Sequence, residues 1–140
     1  EVLRFELPLE RNMQPSLNLL ILVGIGGMLG SIARYWTTVN FGKISTGFPL
    51  GTLTVNLIGC FVIAVVATLA EKTTLISPET RLFLATGLCG GLTTFSSLMY
   101  EVAMLLRDEE WWNAGIYLSA SVIGGFLALY LGFLIINKLI

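Results

Sequence analysis

The stretch Gly87-Leu88-Cys89-Gly90-Gly91-Leu92-Thr93-Thr94-Phe95-Ser96-Ser97 interrupts an apolar segment that runs from about Leu82 to Leu106. Hydrocarbon offers no water to unpaired backbone groups, so a helix broken at membrane depth persists only where protein or a water-filled cavity satisfies them. In transporters such breaks hold ions or substrates. The stretch therefore predicts a broken transmembrane helix and a functional site at the break.

The composition indicates a small integral membrane protein. Of the 140 residues, 55% are hydrophobic and only 12% are charged, and the mean hydropathy is +0.83. A soluble domain of this size is less apolar. The net charge of -1 provides no basic surface for a phosphate backbone, so nucleic acid is not expected as a partner. Cys60 and Cys89 lie in apolar segments, where they are expected to act as small hydrophobic residues.

Four segments reach the roughly 20 apolar residues that a membrane-spanning helix needs. They run from about Leu17 to Trp36, Leu50 to Ala70, Leu82 to Leu106 and Asn113 to Ile136. The predicted fold is an all-α membrane protein with four transmembrane helices, the third broken near its middle. Residues 1–16 are predicted to form an N-terminal tail, and residues 17–140 the transmembrane domain.

The basic residues show only a shallow bias toward one side of the membrane. The side that holds the termini and the middle connector carries Arg4, Arg11, Lys72, Arg81 and Lys138, and the other side carries Arg34, Lys43 and Arg107. This bias is shallow by the positive-inside rule. The sequence therefore does not commit the chain to one orientation.

Three predicted helices each carry a thin polar stripe, whose residues lie three or four apart on one face. The stripes are Thr52, Asn56 and Gly59; Thr94, Ser97 and Glu101; and Tyr117, Ser121 and Gly125. Helix association alone explains isolated small and hydroxyl residues, including the pair Gly26 and Gly30. An amide or an acid inside a membrane is costly and usually functional, which favours Asn56 and Glu101. Arg34 can extend to the headgroups from the end of the first helix.

The spans lack the residues of a catalytic site. The sequence has no His, and the polar stripes of the spans have no Ser beside a base, no paired carboxylates and no phosphate-binding loop followed by Lys, so an enzyme is not expected. What remains are neutral donors: the Asn56 amide, the hydroxyls of Thr94, Ser97, Tyr117 and Ser121, and the weakly positive ring edge of Phe95. Such donors suit an anion that is held weakly enough to leave, as conduction requires.

Three motifs, each in its own span and in the same order, closely resemble the signatures of the Fluc (CrcB) fluoride channels. They are Gly26-Gly27-Met28-Leu29-Gly30-Ser31-Ile32-Ala33-Arg34-Tyr35, Pro49-Leu50-Gly51-Thr52-Leu53-Thr54-Val55-Asn56-Leu57-Ile58-Gly59, and Gly87 to Ser96. The resemblance extends from about Leu17 to the C-terminus. It implies a passive, fluoride-selective channel that exports cytoplasmic fluoride across the cell membrane. It also implies an antiparallel homodimer with dual topology, which fits the shallow charge bias.

The resemblance also implies roles for individual residues. The family's fluoride pathway matches Asn56, Phe95, Ser97, Tyr117 and Ser121, with Thr94 beside it, Glu101 at an acidic position and Arg34 after the first glycine motif. A structural sodium ion on the dimer axis would be held by the backbone carbonyls of Gly90 and Thr93. Two positions depart from the family: Leu98 replaces the second pore phenylalanine, and Gly125 stands where a serine is common.

Two other functions are compatible with a chain of this size. A proton-coupled exporter of the four-helix multidrug type needs a buried acid in its first span, and none precedes Arg34. A non-transporting scaffold subunit with four spans would give no flux as pure protein in liposomes.

Overall fold

The computed structural model describes residues 16–44 and 47–140, and the regular structure in this part of the chain is entirely helical. The predicted tail lies outside the described residues, apart from Ser16. The elements are α1 (Leu17–Gly42), α2 (Leu50–Lys72), α3 (Pro78–Arg81), a π-helix (Leu82–Cys89), α4 (Gly90–Leu92), α5 (Phe95–Arg107) and α6 (Trp111–Leu139).

The four predicted spans are confirmed. Helices α1, α2 and α6, together with the stretch Pro78–Arg107, are long and apolar enough to cross a membrane. We call Pro78–Arg107 the third span. Many large apolar side chains lie on the outside of the helices, as lipid contact requires, and Trp111 and Trp112 are exposed at the start of α6. The chain is therefore a multi-pass membrane protein.

Two helix ends show how polar residues set the boundaries. Helix α1 continues beyond Trp36 to Gly42, and within these added turns the side chains of Thr37 and Asn40 find partners by donating to the carbonyl oxygens of Ala33 and Trp36, both at 2.8 Å. The third span begins at Pro78, before the predicted Leu82, because the Ser77 hydroxyl accepts the Thr80 amide at 3.2 Å and caps the helix that Pro78 starts.

The predicted break in the third span is confirmed and lies at Thr93 and Thr94. Both residues are extended, with φ/ψ of -88°/155° and -155°/119°. The π-helix that precedes the break was not predicted, because its wider turn leaves no distinct pattern in a uniformly apolar sequence. Insertions of this kind are rare and concentrate at functional sites.

Helix α1 packs closely against the π-helix and α4 through facing glycines. A Cβ added to Gly26 would lie 2.7 Å from the carbonyl oxygen of Phe83, and one added to Gly30 would lie 2.7 Å from the amide nitrogen of Leu92. On the opposite side, a Cβ on Gly87 would lie 3.0 Å from the Cα of Gly26. Backbones this close leave no room for side chains, so the predicted packing role of Gly26 and Gly30 is confirmed.

A substitution of Gly30 by Ala should therefore destabilise the fold, because the new methyl group meets backbone atoms that cannot rotate away. The expected loss is about 1 to 3 kcal/mol, the usual range for overpacking. Gly24, on the same helix, has open space around its added Cβ, and Gly24→Ala should be neutral or stabilising by up to about 1 kcal/mol. Unfolding in detergent measures both, and equal losses would contradict the close glycine contact.

Candidate functional site

Asn56 of α2 satisfies the broken backbone of the third span. Its Oδ1 accepts the Thr94 amide at 2.8 Å, and its Nδ2 donates to the Thr94 carbonyl at 3.3 Å. One side chain thus pairs both main-chain groups of an extended residue inside a membrane span, where an unpaired group costs several kcal/mol.

The residues beside the break turn their remaining polar groups toward local partners. The Thr94 hydroxyl accepts the Ser97 amide at 3.1 Å and so caps α5, and it lies 3.1 Å from the Ser97 hydroxyl, to which it donates. The amide and the hydroxyl of Thr93 both donate to the Cys89 carbonyl, at 2.9 and 2.8 Å. Thr93 therefore closes the preceding helix with two hydrogen bonds to one oxygen.

At the break, two carbonyl groups lose the amide partners that a continuous helix would give them. In a continuous α-helix the Gly90 carbonyl would accept the amide of Thr94, and the Thr93 carbonyl would accept that of Ser97. Here those two amides donate to Asn56 and to the Thr94 hydroxyl instead. The carbonyls of Gly90 and Thr93 are the two that the resemblance assigns to a sodium ion. Main-chain oxygens released in this way suit a hard cation.

Each residue of the polar stripe on α2 contacts a residue of the third span. A Cβ on Gly59 would collide with the Thr93 methyl group, Asn56 pairs with Thr94, and the Thr52 hydroxyl donates to Glu101 Oε1 at 2.7 Å. The stripe predicted from spacing is therefore the contact surface between two helices. It also positions the break, because it holds Thr93 and Thr94 in succession.

Glu101 joins three spans through two hydrogen bonds. Besides Thr52, it accepts the Tyr117 hydroxyl of α6 on Oε2 at 2.5 Å. The Tyr117 ring is fully buried and meets Phe48 edge to face, with ring centroids 5.6 Å apart. The carboxylate is therefore paired by a donor on each side, which lowers the penalty for an acid at this depth.

A groove of about 540 Å³ opens beside the break. Its lining is largely apolar, and among the described residues it contains no charged side chain. The residues that line it are Asn56, Gly59, Cys60, Ile63, Ala85, Cys89, Gly90, Thr93, Thr94, Phe95, Leu98, Ser121, Val122, Gly125, Phe126 and Leu129. The broken third span thus forms one wall of the groove, and α2 and α6 form the others.

The predicted pathway residues fall into two neighbouring groups. Asn56, Thr94, Phe95, Leu98 and Ser121 line the groove, and the Phe95 side chain is 74% exposed there. Glu101, Tyr117 and Ser97 do not line it.

Two residues connect the groups. The side chain of Leu98 lines the groove and also packs in a buried cluster with Tyr117, and Ser121 Oγ donates to the Tyr117 carbonyl at 2.8 Å. Arg34 lies half-buried on α1, and in the described part of the chain it belongs to neither group.

The sequence analysis placed Thr52 in a polar stripe but not in the functional site, and it assigned no role to the groove residues Val122 and Phe126. Thr52 had a usable signal, since it lies one turn from Asn56 on the same face, and a hydroxyl there is placed to reach the same neighbouring helix. Val122 and Phe126 had none, because apolar residues on α6 look alike whether they meet lipid, a groove or another subunit.

Comparisons with known proteins agree with the resemblance. The sequence model of the family described as "CrcB-like protein, Camphor Resistance (CrcB)" matches residues 21–133. A protein of Chlorobium chlorochromatii named "Fluoride-specific ion channel FluC" is 57% identical over 113 residues, which cover 81% of this chain and 88% of the relative. Relatives of the same name from Prosthecochloris aestuarii and Flavobacterium psychrophilum are 48% and 40% identical. Their matches cover 86% and 84% of this chain, and 94% and 95% of the relatives.

The Glu101 network yields a stability prediction. Tyr117→Phe removes one of the two donors to the partly buried Glu101 carboxylate and should lower the free energy of unfolding by about 1.5 to 3 kcal/mol, the range for a hydrogen bond to a charged group. The loss should shrink in a Glu101→Gln background. Tyr130, an exposed tyrosine of the same helix, is the control, and Tyr130→Phe should change stability by less than about 0.5 kcal/mol. Unfolding in detergent tests this, and equal effects of the two substitutions would refute it.

Proposed function

The chain belongs to the CrcB family, and we propose that it is a passive, fluoride-selective channel through which cytoplasmic fluoride leaves the cell across the plasma membrane. The observation that carries this proposal is the match to relatives named fluoride-specific ion channels over more than four fifths of the chain. The groove beside the break supports it, because its described lining offers neutral donors and no Lys or Arg side chain that would bind an anion directly and trap it.

The donors on this path differ in whether their hydrogens are already used in hydrogen bonds within the protein. Asn56 uses one Nδ2 hydrogen for Thr94 and has a second to offer an anion, since an amide nitrogen carries two. The Phe95 ring is exposed in the groove, where its positive edge adds a weak attraction. The Ser97 hydroxyl accepts from Thr94 and retains its own proton. Asn56 and Phe95 line the groove and are therefore expected to meet fluoride first, whereas Ser97 lies outside the groove lining and would bind fluoride only beyond it.

Tyr117 and Ser121 require a rearrangement before they bind fluoride. Each has a single hydroxyl proton, which Tyr117 gives to Glu101 and Ser121 gives to the Tyr117 carbonyl. Either hydroxyl can serve an anion only by leaving its present partner. We propose that this exchange, one hydrogen bond for another of similar strength, keeps each step along the path shallow.

A sodium ion fits the carbonyls of Gly90 and Thr93. Both residues line the groove, and the bonds that α-helical geometry would give their carbonyls are diverted to Asn56 and Thr94. When bound, the ion would supply a positive charge that joins main-chain oxygens. Two carbonyls are few ligands for a hard cation, and a second copy of the chain across a two-fold axis would supply two more.

We propose that the groove is the face on which a second, antiparallel copy packs. The Gly90 side of the helix is open, since an added Cβ there meets no atom within 4 Å, and the apolar residues Val122 and Phe126 are exposed beside it. The shallow bias of the basic residues allows both orientations.

Two other functions make different predictions. A proton-coupled multidrug exporter would need an acid in its first span, but α1 carries Arg34 as its one charged residue. A scaffold subunit would pass no fluoride. The two hydrogen bonds from Asn56 to the backbone of Thr94, which we call the Asn56 clamp, favour the channel. They hold a span broken and its carbonyls released, and a scaffold has no evident use for either.

Purified protein in liposomes should pass fluoride, and little chloride, down its gradient without nucleotide or a proton gradient. Phe95→Leu should slow efflux roughly two- to tenfold, because it removes an aromatic contact of about 0.5 to 1.5 kcal/mol. Tyr100, an exposed aromatic of the same helix outside the groove lining, is the matched control, and Tyr100→Leu should keep the wild-type rate. Absence of fluoride flux would favour the scaffold, and equal chloride flux would remove the selectivity.

Substitutions of two neighbouring residues on α6 test whether the chain forms the proposed dimer. Phe126 and Leu127 are neighbours with exposed side chains, at 72% and 64%, and only Phe126 lines the groove. Phe126→Ala should weaken the dimer in detergent by roughly tenfold or more, because a buried aromatic at an interface typically contributes over 1 kcal/mol. Leu127→Ala should not. Light scattering measures the mass, and a wild-type mass near 15.2 kDa rather than twice that value would reject the dimer.

A further inference from the structure

The broken third span could in principle close again into a helix. The Thr94 amide would then return to the Gly90 carbonyl, and the Ser97 amide to the Thr93 carbonyl, as α-helical geometry requires. Two side-chain oxygens prevent this closure: Asn56 Oδ1, 2.8 Å from the Thr94 nitrogen, and Thr94 Oγ1, 3.1 Å from the Ser97 nitrogen. Each oxygen occupies the amide that would otherwise bind a released carbonyl.

We propose that Asn56 and Thr94 are positioning residues that prepare the cation site. Asn56 acts through its oxygen, which keeps the Gly90 carbonyl available, and Thr94 acts through its hydroxyl, which does the same for the Thr93 carbonyl. This inference rests on the proposed function, and it gives Asn56 two separable roles. The amide oxygen serves the cation site, and the free amide hydrogen serves the anion path.

Neighbouring contacts support this division of roles. The Thr93 amide and hydroxyl are both bound to the Cys89 carbonyl, so neither competes for the released oxygens. Gly59 receives the Thr93 methyl group in a space that a Cβ would fill. Helix α2 thus holds Thr93 by contact and Thr94 by hydrogen bonds, and the peptide between them is fixed from one side.

The experiment measures sodium binding by stability and does not depend on flux. Full-length protein in detergent, without fluoride, is melted at increasing concentrations of sodium chloride, with N-methylglucamine chloride keeping the ionic strength constant. A ligand that binds only the folded state raises the melting temperature with concentration. The wild type should show a sodium-dependent rise, and a wild type indifferent to sodium overturns the proposal.

Four variants separate positioning from general damage. Asn56→Leu, of similar size but with no oxygen, should raise the half-maximal sodium concentration at least tenfold. Thr94→Val should raise it at least threefold, whereas Thr94→Ser, which keeps the hydroxyl, should not. Asn56→Asp keeps an oxygen for the Thr94 amide, so it should retain the wild-type sodium response within threefold while slowing fluoride efflux, since it loses the amide donor.

The control is Thr68→Val. Thr68 is a buried threonine of the same helix, and its hydroxyl donates to the Ala64 carbonyl far from the break in sequence. This variant should lower the melting temperature in all media and leave the sodium midpoint unchanged. A wild-type sodium midpoint in Asn56→Leu overturns the positioning role, as does an Asn56→Asp midpoint as poor as that of Asn56→Leu. If Asn56→Leu does not fold, the sodium midpoints of Thr94→Val and Thr94→Ser test the positioning role, and equal midpoints in these two variants overturn it.

Failure of the positioning role can be told apart from failure of the channel function. A wild type that binds sodium but passes no fluoride rejects the channel function. The sodium midpoints of the Asn56 and Thr94 variants then still test the positioning role. A wild type that passes fluoride, with variants that all keep the wild-type sodium midpoint, rejects positioning alone.

Discussion

The structure depends on the hydrogen bonds between Asn56 and the extended backbone of Thr94. Inside a bilayer a span can be broken only if its freed amide and carbonyl find partners, since each unpaired group costs several kcal/mol. Asn is suited to this because its side chain carries one acceptor and two donor hydrogens in a plane, like a peptide group. Asn56 substitutes for the missing turn of helix, and α2 and the third span become one unit whose break is part of the folded state.

Close helix packing makes this clamp possible. An Asn side chain is short, so it reaches a neighbouring backbone only where two helices nearly touch. Gly59, one turn beyond Asn56 on the same face, receives the Thr93 methyl group, and on the opposite side Gly26 and Gly30 let α1 lie against the segment that leads into the break. The glycines that the sequence suggests for helix association thus also determine where polar chemistry can occur.

Much of this could be predicted from the sequence. Hydropathy located the four spans, the run of glycines and hydroxyls located the break, and helical spacing placed Thr52, Asn56 and Gly59 on one face. Spacing could not show what that face meets, because the partner of Asn56 is a main-chain group that leaves no mark in the sequence. The commitment of the Tyr117 and Ser121 hydroxyls to other acceptors was equally invisible, since it depends on how α6 is rotated against α5.

The position of Leu98 bears on how a carboxylate can lie near the proposed path for anions. A bare acid beside such a path would repel fluoride strongly, because charges interact with little screening in a low-dielectric interior. The two carboxylate oxygens of Glu101 instead accept hydrogen bonds from Thr52 and Tyr117. Leu98 packs in the cluster that contains Tyr117, and it also lines the groove. An aliphatic residue there offers no ring edge to an anion. Its bulk, however, packs against Tyr117 and keeps this part of the groove lining apolar. Under the proposed function, an anion in the groove would then meet neutral donors, such as the Asn56 amide and the Phe95 ring edge, and no charged side chain among the described lining residues.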